Sequence, residues 1–312
     1  MRSRSALTDG KGHGMTDCEA VGRIVKGIGG FYYVDIGDAL IACRARGKFR
    51  KMGISPMVGD RARFSSPDGE NGYLLELLPR KNALIRPPIA NLDVLVIVAS
   101  QAPPVTDLFL IDRVSAVAHA MGIEVVIAVN KCDMDAGDQI IETYRAVGFP
   151  TLRVSGRTGE GVSELLEILR GKLSAFTGNS GVGKSTILNA IAPEFALATG
   201  ALNDKIGRGR HTTRHVEIFK IGAETWIADT PGFSSFDTER MELIAPEGLE
   251  RAFPEFEPYR EQCEFIGCAH CNDRGCAVCA AAQEGKIPPS RLESYQKLYE
   301  NLRERKPWEK RM

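Results

Sequence analysis

The run GNSGVGKS at 178–185 constrains the fold more than any other stretch of the chain, because it fits G-x4-G-K-[ST] at every position. The apolar run LSAFT precedes it and TILNAIA follows at helical spacing, giving the strand, loop and helix that such an element requires. Its glycines let backbone N–H groups wrap a phosphate. Lys184 brings positive charge to the outer phosphate oxygens, and the Ser185 hydroxyl suits Mg2+. Gly178, Asn179, Ser180, Gly181, Val182, Gly183, Lys184, Ser185 and Thr186 are therefore candidate nucleotide-binding residues.

Two further elements stand where a nucleotide site needs them. WIADTPG is an apolar strand ending in Asp229, with Gly232 three residues on; the carboxylate can hold Mg2+ through water, and the glycine N–H can meet the terminal phosphate. VNKCDM supplies Asn130, Lys131, Cys132 and Asp133. Guanine offers N1–H and N2–H2 as adjacent donors that a carboxylate accepts as a pair, whereas adenine has an acceptor at N1, so Asp133 selects guanine. Ser155 and Gly156, in VSGRTGEG, follow as the backbone contact to the guanine oxygen, departing from the commoner Ser-Ala pair.

The order of these elements is unusual, with the base reader first, the phosphate loop second and the Mg2+ aspartate last. An α/β domain tolerates that order if its original termini are joined and the chain is opened elsewhere. The central segment is therefore expected to be a circularly permuted α/β P-loop GTPase domain, spanning 83–245. Buried parallel strands are expected at DVLVIVAS and EVVIAVN. The helix between them carries Leu108, Ile111, Val114, Ala118 and Met121 on one stripe, with Thr106 as its N-cap.

In GRGRHTTRH, Thr212 and Thr213 are candidates for the switch threonine that meets Mg2+ and the terminal phosphate, with Thr213 favoured. Phe233 follows Gly232 where related enzymes place a water-orienting glutamine. It has no group for that role, so His211 or a partner's group must position the water.

Residues 1–17 read as a disordered tail, and 18–82 as five short strands separated by turn signals, an OB-fold β-barrel. The chain has no net charge, but residues 18–90 carry 12 Lys/Arg against 7 Asp/Glu, while 91–245 carry 14 against 19. Arg44, Arg46, Lys48, Arg50 and Lys51 thus make a local basic face suited to RNA. No apolar run approaches the roughly 20 residues of a membrane span. No apolar leader begins the chain, which reads as cytoplasmic with no membrane partner.

Five of the eight cysteines fall between 263 and 279. In CEFIGCAHCNDRGC, Cys263, Cys268, His270 and Cys276 satisfy a closed tetrahedral zinc site, one structural ion that folds a C-terminal domain at 246–312. Cys271 and Cys279 are spare thiols that can substitute, although Cys271 adjoins His270. A closing amphipathic helix is expected at the end, with Ser290 and Glu293 as a capping box.

Taken together, NKCD before GNSGVGKST before DTPG, with the barrel ahead and CEFIGCAHCNDRGC behind, closely resembles the ribosome small-subunit-dependent GTPase A family of bacteria (RsgA, also called YjeQ or EngC). The likeness runs from about residue 20 to about 305. It implies a monomeric cytoplasmic factor that binds the small ribosomal subunit and its rRNA late in maturation, hydrolyses GTP there, and assists assembly and the release of other maturation factors. The competing readings are a GTP-switched RNA-binding module with negligible catalysis, made thinkable by Phe233, and an ATP-driven RNA remodeller, opposed by Asp133.

Overall fold

The structure is a computed structural model and describes residues 19–67, 69–85, 88–193, 216–229, 244–271 and 273–304. Two compact units divide between Arg80 and Lys81. Among the described residues no helix is long and apolar enough to cross a membrane.

The first unit is a closed five-stranded barrel. Strands β1 (Glu19–Ile28), β2 (Phe31–Asp35), β3 (Leu40–Ala45), β4 (Arg61–Ser65) and β5 (Asn71–Leu77) pair in the order β1-β2-β3-β5-β4, and β4 returns to β1. All pairs are antiparallel except β3–β5. Alternating residues, among them Ile24, Val34, Ile41, Phe64 and Leu74, fill the interior, as period-two patterning requires. Helix α1 (Gly47–Lys51) stands between β3 and β4; it carries the basic run and no apolar period strong enough to announce it, yet Phe49 anchors it in the core. Buried Asp60 accepts from Arg80 Nε at 2.6 Å and Nη2 at 2.8 Å, fastening the chain's exit to the start of β4.

The second unit opens with a short ribbon, β6 (Ala83–Ile85) and β7 (Pro88–Ala90), then builds a six-stranded sheet. Its order is β10 (Thr151–Arg153), β9 (Glu124–Val129), β8 (Val94–Ala99), β11 (Leu173–Thr177), β13 (Thr225–Asp229) and β12 (Glu217–Gly222). All are parallel except β12. Each of the six residues of β8 is at most 1% exposed, which explains its unbroken apolar run. Between β8 and β11 the chain reverses its direction of travel across the sheet, and ligands of open α/β sheets bind at that kind of switch point.

Helices α2 (Leu108–Ala120), α3 (Asp138–Ala146), α4 (Val162–Leu169) and α5 (Lys184–Ile191) connect the strands. The N-cap of α2 is Asp107, whose carboxylate accepts from Phe109 N at 3.0 Å, and not the expected Thr106. Thr106 Oγ1 instead accepts from Ser100 N at 3.0 Å, bracing the loop that leaves β8.

After residue 244 come 3-10 turns at Pro246–Ala252 and Pro254–Phe256, then α6 (Glu257–Arg260), α7 (Ala277–Gln283) and α8 (Pro289–Glu304). Helix α8 starts at Pro289, so Ser290 lies inside the first turn and the expected capping box does not form. Helix α2 lies between the sheet and this C-terminal layer, touching β8 and β9 on one side and α8 with the 246–252 turn on the other.

A buried charge cluster joins the layers. Arg291, 0% exposed, donates from Nη1 to Asp112 Oδ1 at 2.8 Å and to Ser115 Oγ at 3.2 Å. Its Nε and Nη2 donate to the two oxygens of Glu255 at 2.6 and 3.2 Å, and its plane covers Phe253 at 4.5 Å. Burial alone would lower the guanidinium's pKa, but the carboxylates of Asp112 and Glu255 outweigh it and hold it above its ordinary range. Removing the cation leaves two buried carboxylates without their partner. Arg291→Met is therefore expected to destabilise the second unit by about 3–5 kcal/mol, read as a shifted denaturant midpoint; a shift within 0.5 kcal/mol, roughly that of an exposed substitution, would contradict this role.

Candidate functional site

The parallel strands β8, β9, β10, β11 and β13 all present their carboxyl ends at one edge of the sheet; among the described residues NKCD follows β9, Ser155 and Gly156 follow β10, GNSGVGKST follows β11, and Asp229 ends β13. Ala99 pairs with Val129 and Ile97 with Thr177, so Ser100 and Asn130 emerge side by side while Gly178 leaves β11 beside Val98.

The phosphate loop connects β11 to α5. Lys184 Nζ donates to Gly178 O at 2.7 Å and Asn179 O at 2.8 Å, and burial lowers the pKa of its ammonium. Ser185 and Thr186 are exposed at the start of α5, available to a bound group.

Asn130 is 3% exposed and ties three loops together. Its Nδ2 donates to Val182 O at 2.7 Å in the phosphate loop, and its Oδ1 accepts from Gly156 N at 3.1 Å. The packing is tight enough to demand glycine at two points. A Cβ at Gly183 would lie 2.2 Å from Asn130 Nδ2, and one at Gly156 would lie 2.7 Å from Ile187 N. That second contact explains why Ser-Gly stands where Ser-Ala is commoner.

Lys131, at φ 65°, donates from Nζ to Pro103 O at 2.6 Å. Cys132 N donates to Val154 O at 3.3 Å, and burial raises the pKa of its thiol. Asp133 accepts at Oδ1 from Ser155 Oγ at 2.7 Å, while Arg157 Nη2 lies 2.7 Å from Oδ2. The Ser155 hydrogen bond first, then the Arg157 charge, hold this carboxyl below the usual range, so it is ionised at neutral pH.

The contacts to Pro103 and Arg157 were not foreseen; prolines after β8 and an arginine two residues past Ser155 were their only signals. Asp229 closes β13, its backbone beside β11. His211, Thr212, Thr213, Gly232 and Phe233, among them the expected switch threonine and water-positioning group, lie outside the described residues.

The C-terminal cluster gathers as its spacing required. The ligating atoms of Cys263, Cys268, His270 and Cys276 all lie within 4.8 Å of one another. His270 Nδ1 is 3.3 Å from Cys276 Sγ and 3.7 Å from Cys263 Sγ, and the two sulfurs are 4.0 Å apart. A tetrahedral zinc site with Zn–S about 2.3 Å and Zn–N about 2.0 Å has S–N and S–S edges of about 3.5–3.8 Å, so shifts of about 1 Å or less bring the group to zinc geometry. Cys271 and Cys279 stand outside it; Cys279 donates its N–H to Cys276 Sγ at 3.4 Å and its thiol to His270 O at 3.5 Å.

Glu250 was missed, because nothing in sequence marks a carboxylate twenty residues before its partner. Its Oε2 lies 3.1 Å from His270 Nε2, fixing the tautomer that turns Nδ1 to the thiols. Glu250→Ala is expected to weaken zinc binding about 10- to 100-fold in a chelator competition, with Glu250→Gln close to wild type; unchanged affinity in the alanine variant would remove Glu250 from the metal site.

A sheet with its phosphate loop at the switch point and a base-reading loop earlier in sequence, behind a closed barrel and ahead of a Cys3His group, defines a circularly permuted P-loop GTPase with OB-fold and metal-ligand segments. The family model described as RsgA GTPase matches residues 77–239, and that described as RsgA N-terminal domain matches 21–74. The chain belongs to the RsgA GTPase family.

Among its relatives, the small ribosomal subunit biogenesis GTPase RsgA of Caldanaerobacter subterraneus subsp. tengcongensis is 45% identical over 293 residues, covering 93% of this chain and 97% of that protein. Its namesake from Geobacillus sp. (strain WCH70) is 42% identical over 294 residues, covering 92% and 99%. Among solved structures, YjeQ from Thermotoga maritima superposes with a TM-score of 0.79 at 32% identity, covering 92% of this chain and all of that one. YloQ, titled a circularly permuted GTPase, gives 0.77 at 34% identity, covering 93% and 96%.

Proposed function

We propose that this chain is a cytoplasmic, monomeric GTPase that binds the small ribosomal subunit late in its maturation, hydrolyses GTP to GDP and phosphate when the subunit stimulates it, and assists the release of other maturation factors. The observation that carries the reading is the junction at Asn130, which unites a guanine reader and a phosphate loop in one site, in a chain whose relatives bear the name small ribosomal subunit biogenesis GTPase.

In this reading Asp133 accepts the guanine donors, Lys131 lines the base and Gly156 meets the guanine oxygen. Residues 178–186 wrap the phosphates, with Lys184 on their outer oxygens. Mg2+ neutralises the phosphate charge and is held by Ser185, by Asp229 through water and by Thr213, while Gly232 meets the terminal phosphate. His211 positions the attacking water, since Phe233 cannot. One structural zinc ion sits among Cys263, Cys268, His270 and Cys276.

The domains divide as 18–82 for rRNA, 83–245 for GTP and 246–312 around zinc. On the barrel, Arg44 lies over Phe31 at 4.5 Å and Arg46 over half-exposed Tyr73 at 5.9 Å, a mix of cation and aromatic surface that suits irregular RNA.

Phe233 favours one second reading, a GTP-switched RNA-binding module with negligible turnover. Phosphate release measured with small subunits, large subunits or neither separates the two. Stimulation of about tenfold or more by small subunits alone, a fraction of the 10³–10⁵ that completing a GTPase site can supply, supports the enzyme; equally slow turnover in all three supports the module.

A further inference from the structure

We propose that Arg157 is a positioning residue for guanine: together with Ser155 it holds the Asp133 carboxylate so that one lone pair on each oxygen stays open to the base. The inference rests on the reading of Asp133 as the guanine reader and deepens it.

An ionised carboxylate offers about four lone-pair sites. Ser155 Oγ donates to Oδ1 at 2.7 Å, and Arg157 Nη2 stands 2.7 Å from Oδ2 as an ion pair, so each oxygen meets one side-chain brace. Two side-chain braces, one per oxygen, leave one site on each. Guanine brings two adjacent donors, N1–H and N2–H2, which match that remainder. A carboxylate held by Ser155 alone keeps a single anchor and can turn about it, which misaligns the pair that the base must meet.

The two braces differ in what fixes them. Ser155 is wholly buried, and its Oγ accepts from Thr158 N at 3.1 Å inside a turn closed by Gly159 N to Ser155 O at 2.8 Å. Its place is set by the fold. The Arg157 side chain is 75% exposed against 12% for Asp133, so this brace is open to water and salt. A guanidinium on a long side chain suits the position because it brings a cation from solvent to the carboxylate oxygen that Ser155 does not meet. A competing geometry, in which Arg157 caps the carboxylate and the base must displace it, has the opposite consequence: removing the arginine would then tighten binding.

The experiment is equilibrium binding of GDP and IDP, at low and high salt, to wild type, Arg157→Ala, Arg157→Lys and Asp133→Asn. Inosine lacks the 2-amino group and so uses only one of the two braced oxygens. Arg157→Ala is expected to weaken GDP about two- to fivefold at low salt, to weaken IDP less, and to lose most of its defect at high salt, with Arg157→Lys restoring part. Unchanged or tighter GDP binding by Arg157→Ala would overturn the proposal, and so would equal losses for GDP and IDP, which mark general loosening. Asp133→Asn keeps the two readings apart. If it leaves GDP affinity unchanged, the base reading itself fails; if it weakens GDP while Arg157→Ala does not, only the brace fails.

Discussion

The hydrogen bonds that join the Asn130 side chain to Val182 and to Gly156 are the constraint on which the candidate nucleotide site depends. Nδ2 reaches a carbonyl 52 residues downstream and Oδ1 an N–H 26 residues downstream, and the group is buried. In that low-dielectric setting each bond is strong and its loss leaves an unsatisfied partner. The surrounding sequence is adapted to it: glycine at 183 lets the phosphate loop approach the amide, and glycine at 156 lets the Ser155 turn pack against the first turn of α5. The loop proposed to read the base and the loop proposed to hold the phosphates are thus tied to one side chain.

This explains how the domain tolerates its rearranged order. Site geometry depends on which strand ends lie side by side at the sheet's edge, and on the cross-bonds between their loops, neither of which records the order of synthesis. Opening the domain ahead of β8 places β13 last. The chain then passes from Asp229 towards the 246–252 turn, which carries Glu250 to the metal-ligand group and packs on α2. Arg291 closes the arrangement by bonding Asp112 of α2 and Glu255 together. The C-terminal segment is therefore built onto the GTPase sheet through a helix whose preceding loop also supplies the carbonyl of Pro103 to Lys131.

Most of the site was legible because local motifs encode it. GNSGVGKS, NKCD and the Cys/His spacing each fix a backbone shape or a ligand set within a few residues. The five barrel strands were legible from alternation and turn residues. What escaped were long-range pairings without a local period. Arg291 reads as one more basic residue on an amphipathic helix, because the carboxylates that neutralise it stand 36 and 179 positions away. Asp112 and Ser115 are polar yet buried, because α2 is covered on both sides, which its apolar stripe alone does not announce. Thr106 and Ser290 fit the rules for caps, but Asp107 competes better in the first case and Pro289 already begins the helix in the second.

The most direct test of this account is nucleotide affinity after Asn130→Ala. Because one amide holds both halves of the site, GDP and IDP are expected to lose affinity together, by about tenfold or more for two buried hydrogen bonds of about 1 kcal/mol or more each. The fold should stay intact by thermal unfolding. Unchanged affinity for both nucleotides, or a loss confined to GDP, would contradict the claim that Asn130 joins the phosphate loop to the guanine reader.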